Sequence, residues 1–378
     1  MYNIAGYAAM IHDVRRVEAY RRAIQLMVAP DSVVVDIGTG LGVWAFLACQ
    51  AGARKVYAIE PSAVIAVAQE MAAVNGYLDR IEFIEDISSR VTLPEKADAI
   101  VSDMSGAIPL FGQHLPSIAD ARKRFLKPGG ALIPRRDTVW AAVVDAPAVH
   151  EKLAPSIDRE WGLDMRLAWK MATNLSLNKH FAGNQMVTAP ERVAILDYSA
   201  VEDPNVHSQV QWRLTRPGTG HGISLWFERM LAEGICFSTA PGEPESVYGG
   251  LFFPWPEPVR FEEGDTVQLE FRADLQSEDY IFRWNTTVSS AMQVKYKFRQ
   301  SDFFAELRSP AQMRKQFSSH VPRLNEDGET DRMILDLMDG ETSIEYIARE
   351  LQQRFPAQFP TLEMALGRVA GISKSYSL

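Results

Sequence analysis

The sequence predicts an α/β fold in which a doubly wound parallel sheet comes first, an antiparallel β-barrel second and a small helical module last. Between residues 31 and 144, short branched apolar runs alternate with segments of helical apolar spacing. After Pro134 the runs shorten and are separated by Gly, Pro and Asp clusters, the texture of an antiparallel barrel or sandwich. From Ser309 the spacing is helical again.

Within residues 1–28, Ile11, Val14, Val17 and Ile24 recur at helical intervals and predict one or two amphipathic helices packed on the sheet. The stretch Val33-Val34-Val35-Asp36-Ile37-Gly38-Thr39-Gly40-Leu41-Gly42 then runs into an apolar helix over 43–50. Its branched half suits a strand buried on both faces, and its glycines let the backbone turn tightly against a ligand. A second strand, 55–59, ends in Glu60, where an acidic side chain accepts both hydroxyls of a ribose. A helix over 63–75 and a third strand, 81–84, lead to Asp86-Ile87, in the place where such sheets contact the base of a nucleotide cofactor.

Diol recognition fits NAD and S-adenosylmethionine equally, so residues further along the chain decide between them. Residues 97–103 read as a fourth strand with Asp103 at its tip, and Phe125 to Pro134 as a helix end, a Pro128-Gly129-Gly130 turn and a fifth strand. This layout, Rossmann-like with Leu-x-Pro-Gly-Gly before the last strand, is that of class I methyltransferases. It implies S-adenosyl-L-methionine as cofactor.

Short β-type runs continue at 138–144, 191–198, 210–215, 222–229, 251–253, 259–261, 266–273 and 280–288. Between them residues 162–186, rich in Met, Leu and Trp, predict a helical insertion with an exposed apolar side, a pattern of subunit contacts. The tail predicts a helix over 331–338, a stop at Gly340, a helix capped by Thr342 or Ser343 and running to Phe355, and a last one over 360–369. The expected domains are residues 1–136, 137–305 and 306–378.

At 378 residues the chain exceeds a single core. A net charge of −9 with dispersed Lys and Arg lacks the footprint of a nucleic-acid binder. Cys49 and Cys236 are too few for a disulfide framework or zinc site, and the seven histidines lie far apart, so no metal is expected. With no signal peptide or long apolar span, the expected setting is a reducing cytoplasm, away from membranes.

Over residues 1–290 the chain resembles the protein arginine methyltransferases. The matching residues are Ala51-Gly52-Ala53-Arg54-Lys55-Val56-Tyr57-Ala58-Ile59-Glu60, Met10 with Asp13, Arg16 and Tyr20, Gly162-Leu163-Asp164-Met165, and Phe237-Ser238-Thr239-Ala240-Pro241. The resemblance implies that the barrel covers the substrate and that the insertion is an arm joining a homodimer. It implies that Arg16 pairs with the cofactor carboxylate, that Asp36, Gly38 and Gly40 line its amino-acid end, and that Glu60 holds its ribose. Tyr7, Asp13, Met104 and Tyr248 are placed around the acceptor pocket, and Asp103 takes or orients the acceptor proton.

The chain departs from the family at the loop of residues 102–113. Of the family's two guanidinium-clamping glutamates, the first is Asp103 and the second is Gly112, and the Thr-His-Trp loop is Ser246-Val247-Tyr248. A guanidinium needs a two-pronged carboxylate partner. The expected reaction is therefore methyl transfer to a nitrogen of a peptide or protein, an amine or amide rather than a standard arginine. Alternatives are a small-molecule N- or O-methyltransferase and a catalytically silent scaffold.

The tail resembles the helical half of the peptide-binding chaperone domains of pyrroloquinoline quinone biosynthesis, through Arg323-Leu324-Asn325-Glu326, Ile334-Leu335-Asp336-Leu337-Met338-Asp339-Gly340, Glu350-Leu351 and Arg354-Phe355-Pro356. That implies docking of the leader of a ribosomally made peptide, by strand addition or in a helix groove.

Overall fold

A computed structural model describes residues 4–153, 162–306, 309–315 and 317–377. The chain divides into two compact units, residues 1–306 and 307–378.

The first unit opens with α1 (Ile4–His12) and α2 (Val14–Met27), separated at Asp13, whose carboxylate caps α2 by accepting the Arg16 N–H at 3.1 Å. Then β1 (Val33–Ile37), α3 (Val43–Gln50), β2 (Lys55–Ile59), α4 (Val64–Val74), β3 (Ile81–Ile84), β4 (Ala97–Ser102), α5 (His114–Arg124) and β5 (Leu126–Ile133) build a parallel sheet of order β3-β2-β1-β4-β5. Every residue of β1 is buried, as its branched run requires. The turn expected at Pro128-Gly129-Gly130 lies inside β5 as a bulge. Leu126 pairs with Ala97 and Ala131 with Ala99, so residues 127–130 loop out of the ladder, with Gly129 at φ 77°.

The antiparallel half comprises β6 (Arg136–Val144), α6 (Pro147–Leu153), α7 (Arg166–Ala172), β7 (Leu177–Asn178), β8 (Glu191–Asp197), β9 (Val206–Arg213), β10 (Gly218–Ala232), β11 (Ile235–Ser238), β12 (Leu251–Phe261), β13 (Thr266–Gln276), β14 (Asp279–Ser289) and β15 (Val294–Phe298). These strands form two sheets rather than one continuous ladder: β7-β12-β10-β6-β8, with β11 on β10, and β15-β14-β13-β9. The runs expected at 251–253 and 259–261 are one strand. Gly222 pairs with Pro254 and Gly220 with Val259, so the stretch between them, in which Pro256 and Pro258 have no amide donor, bulges away. The insertion is less helical than expected. Only Arg166–Ala172 is α-helix, and Leu177–Asn178 joins the sheet on β12.

The parallel and antiparallel halves share their cores. One buried cluster holds Val35, Ile59 and Ile100 together with Trp255, Phe271 and Trp284, and another joins Tyr20, Ala45 and Val56 to Phe227 and Leu231. They are one compact unit because neither sheet covers its own apolar face alone.

The second unit contains α8 (Pro310–Arg314), α9 (Glu326–Asp336), α10 (Ile344–Arg354) and α11 (Leu362–Tyr376), and no strand among its described residues. Asn325, Ser343 and Thr361 cap the last three helices, and Gly340 turns with φ 84°. Ile334, Ile347, Leu351, Ala365 and Val369 are buried between those helices. No helix among the described residues is long and apolar enough to cross a membrane.

Candidate active site

The strand order of the parallel sheet reverses between β1 and β4, and ligands bind at the carboxyl ends of strands at such a switch. Ile37 is in register with Ile59 and with Ser102. The next residues on the three strands, Gly38, Glu60 and Asp103, therefore leave the sheet together and line a cavity of about 910 Å³.

Gly38, Gly40 and Gly42 adopt φ of 71°, 54° and 83°, where any side chain is strained. Space forbids one as well. A Cβ on Gly38 would stand 2.8 Å from Met104 Cγ, and one on Gly40 would stand 2.8 Å from Tyr7 Cε1. Beneath the turn, Asp36 Oδ2 accepts the Thr39 hydroxyl at 2.6 Å and the Ala45 N–H at 3.1 Å, while Oδ1 has no partner. Burial pushes the Asp36 carboxyl up to about 7. Asp36 is not among the residues lining the cavity and braces the turn from beneath.

Glu60 Oε1 accepts from Ser62 N at 3.1 Å and Ser62 Oγ at 2.6 Å, and Oε2 accepts from Gly40 N at 3.2 Å. Oε2 keeps capacity for a hydroxyl. A glycine backbone bare of side chains beside a carboxylate of this kind fits the amino-acid and ribose parts of S-adenosylmethionine. Asp86 and Ile87, expected at its base, stand on the loop after β3 and are not among the residues lining this cavity.

Arg16, Asp103 and Tyr248 line the cavity and are engaged with one another. Asp103 Oδ2 accepts from Arg16 Nε at 2.6 Å and lies 2.5 Å from Arg16 Nη2; Oδ1 accepts from Arg229 Nη1 at 2.8 Å. The Tyr248 hydroxyl stands 2.6 Å from both carboxylate oxygens. Burial alone would raise the Asp103 carboxyl, but Arg16 and Arg229 outweigh it and hold it below the usual carboxylate range. A carboxylate so occupied is a weak base. Arg16 also donates to the Met10 carbonyl at 3.0 Å and lies over the Trp44 ring at 4.8 Å.

Behind Asp103 the network continues. Arg229, fully buried, donates to Asp137 Oδ1 at 2.9 Å and Oδ2 at 2.6 Å, to Tyr20 at 3.1 Å and to Ser105 Oγ. The Tyr198 hydroxyl donates to Asp137 Oδ2 at 2.5 Å and lies 3.0 Å from His114 Nε2. The sequence motifs single out none of Arg229, Asp137, Tyr198 and His114. The available signal is phase: Arg229 shares the buried face of β10 with Phe227 and Leu231, where an apolar residue is expected.

Asp13 lies outside the cavity lining, a correction of its expected place. It nevertheless ties the helices to the loop that would carry the family's histidine, accepting from Ser246 Oγ at 2.8 Å and Val247 N at 3.0 Å. Tyr7, Met104 and Tyr248 line the cavity, and the antiparallel half adds Leu251, Asp279, Tyr280, Phe282 and Asp302.

Residues 34–130 match a methyltransferase domain and residues 135–290 the arginine methyltransferase oligomerization subdomain. Protein arginine N-methyltransferase 6 of Danio rerio is 33% identical over 259 residues, covering 65% of this chain and 74% of its own. The Xenopus laevis protein of the same name is 28% identical over 279 residues, 70% of this chain and 82% of that one. Among solved structures, Arabidopsis thaliana protein arginine methyltransferase 10 superposes with a TM-score of 0.69 at 23% identity, covering 79% of this chain and 97% of that one. A Trypanosoma brucei PRMT1 enzyme-prozyme heterotetrameric complex with AdoHcy gives a TM-score of 0.69 at 21% identity, over 78% and 96%. At such identities the structural likeness shows the fold.

Proposed function

This chain belongs to the protein arginine methyltransferase family and is an S-adenosylmethionine-dependent methyltransferase, and from that premise we propose that it methylates a peptide or protein nitrogen other than an arginine guanidinium. The observation that carries this reading is the pairing of Asp103 with Arg16 and Arg229. A substrate guanidinium would have to displace two resident guanidiniums from a single carboxylate, with Gly112 offering no second one.

The cofactor supplies a methyl group already activated on a sulfonium. What falls to the chain is to hold it on the Gly38–Gly40 turn, anchor the ribose on Glu60 and its carboxylate on Arg16, and keep water out. The acceptor lone pair is then held in line within a cavity walled by Tyr7, Met104 and Tyr248. Asp103, Arg229 and Tyr248 act as a rigid floor, joining the two halves of the unit.

Assembly as a homodimer through the insertion is supported by exposed Leu163, Met165, Leu167 and Leu175. We also propose that the tail, which has its own buried core, holds the leader of a ribosomally made peptide. The test is radiolabelled methyl transfer to two peptides of one sequence, carrying either arginine or lysine at every basic position. Transfer to the lysine peptide with negligible transfer to the arginine one is expected. Vigorous methylation of the arginine peptide overturns the reading.

A further inference from the structure

We propose that Asp302 is the acceptor-binding carboxylate of this cavity, and that the acceptor it selects is an aliphatic amine that docks as its ammonium and passes one proton to the Asp302 carboxylate before its lone pair meets the methyl group. The inference rests on the reading of the protein as a methyltransferase of a nitrogen other than guanidinium nitrogen.

An acceptor that is cationic in solution needs an anionic partner in a partly closed cavity. Asp103 lines the cavity but is neutralised by Arg16 and Arg229, and Glu60 is committed to Ser62 and Gly40 at the glycine turn. The remaining lining carboxylates are Asp279 and Asp302. Asp279 starts β14 and is exposed, whereas Asp302 is half-buried and held on the wall.

Asp302 is placed by a built network. Its two oxygens accept the Phe282 N–H at 3.0 and 3.1 Å, which leaves lone pairs on both. The preceding Ser301 donates its hydroxyl to the Phe282 carbonyl at 2.8 Å and its N–H to Asn174 Oδ1 at 3.1 Å. Gln300 Nε2 donates to the carbonyls of Thr173 at 2.7 Å and Pro254 at 2.9 Å. Gln300 and Ser301 are each 3% exposed, so the segment is clamped between the insertion and the sheet. It lies past residue 290, where the match to the family subdomain ends.

The neighbouring wall favours an ammonium over water. Tyr280 and Phe282 line the cavity beside Asp302 with their rings stacked at 6.0 Å, and aromatic faces attract a cation while covering its alkyl stem. Burial, with Glu306 and Asp279 nearby, pushes the Asp302 carboxyl up to about 6, so it is charged at neutral pH and loses its charge in mild acid.

The experiment is calorimetric titration of the full-length protein with n-hexylamine and, separately, 1-hexanol, each with and without saturating S-adenosylhomocysteine. The amine should bind at least ten-fold more tightly than the alcohol at pH 7.5. Asp302→Asn, which keeps an oxygen for the Phe282 N–H, should make the two equal, and Asp279→Asn should leave most of the preference. In the wild type the preference should fade between pH 7 and 5, which tests the carboxylate without any substitution. Equal affinities for amine and alcohol, or a preference that survives Asp302→Asn, overturn the proposal. Absence of any heat with S-adenosylhomocysteine strikes instead at the methyltransferase reading, whatever the amine does.

Discussion

Arg229 Nη1 lies 2.8 Å from Asp103 Oδ1, so a strand of the antiparallel half neutralises the acidic tip of the parallel one, with both side chains at most 2% exposed. The same guanidinium holds Asp137 at 2.6 Å, with both side chains fully buried. One cation thus compensates two buried carboxylates, and Arg16 supplies the remaining charge at Asp103.

Removing that cation should be costly. Arg229→Met keeps much of the volume but leaves Asp137 with the Tyr198 hydroxyl and no cation, and breaking a buried pair from one side typically costs about 3–5 kcal/mol. Urea denaturation should show this as a lower midpoint with an unchanged slope. A loss below about 1 kcal/mol would mean that water or a neighbour already satisfies Asp137.

The pH dependence of stability has two opposed contributions here. Burial, reinforced by Arg229, lowers His114 from 6.5 to about 4, so the unfolded chain takes up the proton first and stability rises with pH across that window. Burial raises Asp36 from 3.8 to about 7, so its contribution is full below 3.8 and is lost as pH rises through 7. The stability difference of His114→Gln minus wild type should therefore fall as pH rises from 4.5 to 6.5, and that of Asp36→Asn should rise. Each unit of displacement is worth about 1.4 kcal/mol. Differences that are flat with pH for both variants would contradict this assignment.

Glu60 gives the direct test of cofactor binding. Glu60→Ala should weaken S-adenosylmethionine by about 1.5–3 kcal/mol, the scale of a hydrogen bond to a charged group. Because Glu60 also accepts from Gly40 N, part of the loss comes from the turn itself. Glu60→Gln separates the two, since it keeps an oxygen for Gly40 but no charge. Unchanged affinity in Glu60→Ala would remove the ribose from this position.

Local chemistry was legible in the sequence and distant pairing was not. The bounds of 33–37, 43–50, 55–59 and 81–84 followed from branched runs and glycines within a few residues of one another. The clustering of Gly38, Glu60 and Asp103 followed from where strands of a wound sheet end. Arg229, by contrast, meets Asp103 across 126 positions of chain and Asp137 across 92. No periodicity encodes such a partner, and Asp103 alone looked like an available base. β7, β11 and β15 have no counterpart among the runs read from the sequence, although Val294-Lys295-Tyr296-Lys297-Phe298 alternates apolar and charged residues.

The insertion supports a prediction narrower than deletion of residues 162–186, because Leu177 and Asn178 pair with β12 and their loss would unravel a sheet edge. Leu163 and Leu167 are 56% and 74% exposed. A Leu163→Glu, Leu167→Glu double variant should remain folded and become monomeric by light scattering. A wild type already monomeric at micromolar concentration would discard the arm while leaving the fold untouched.

The tail has its own buried core of Ile334, Ile347, Leu351, Ala365 and Val369. Truncation before Ser309 should therefore leave the melting transition of residues 1–306 in place. If the tail docks a remote segment of the substrate, it supplies binding rather than chemistry, so the truncated enzyme should show a raised KM and unchanged kcat on a long peptide. A short fragment holding only the methylated position should be turned over equally by both forms. Equal losses on long and short substrates would make the tail part of the catalytic unit instead.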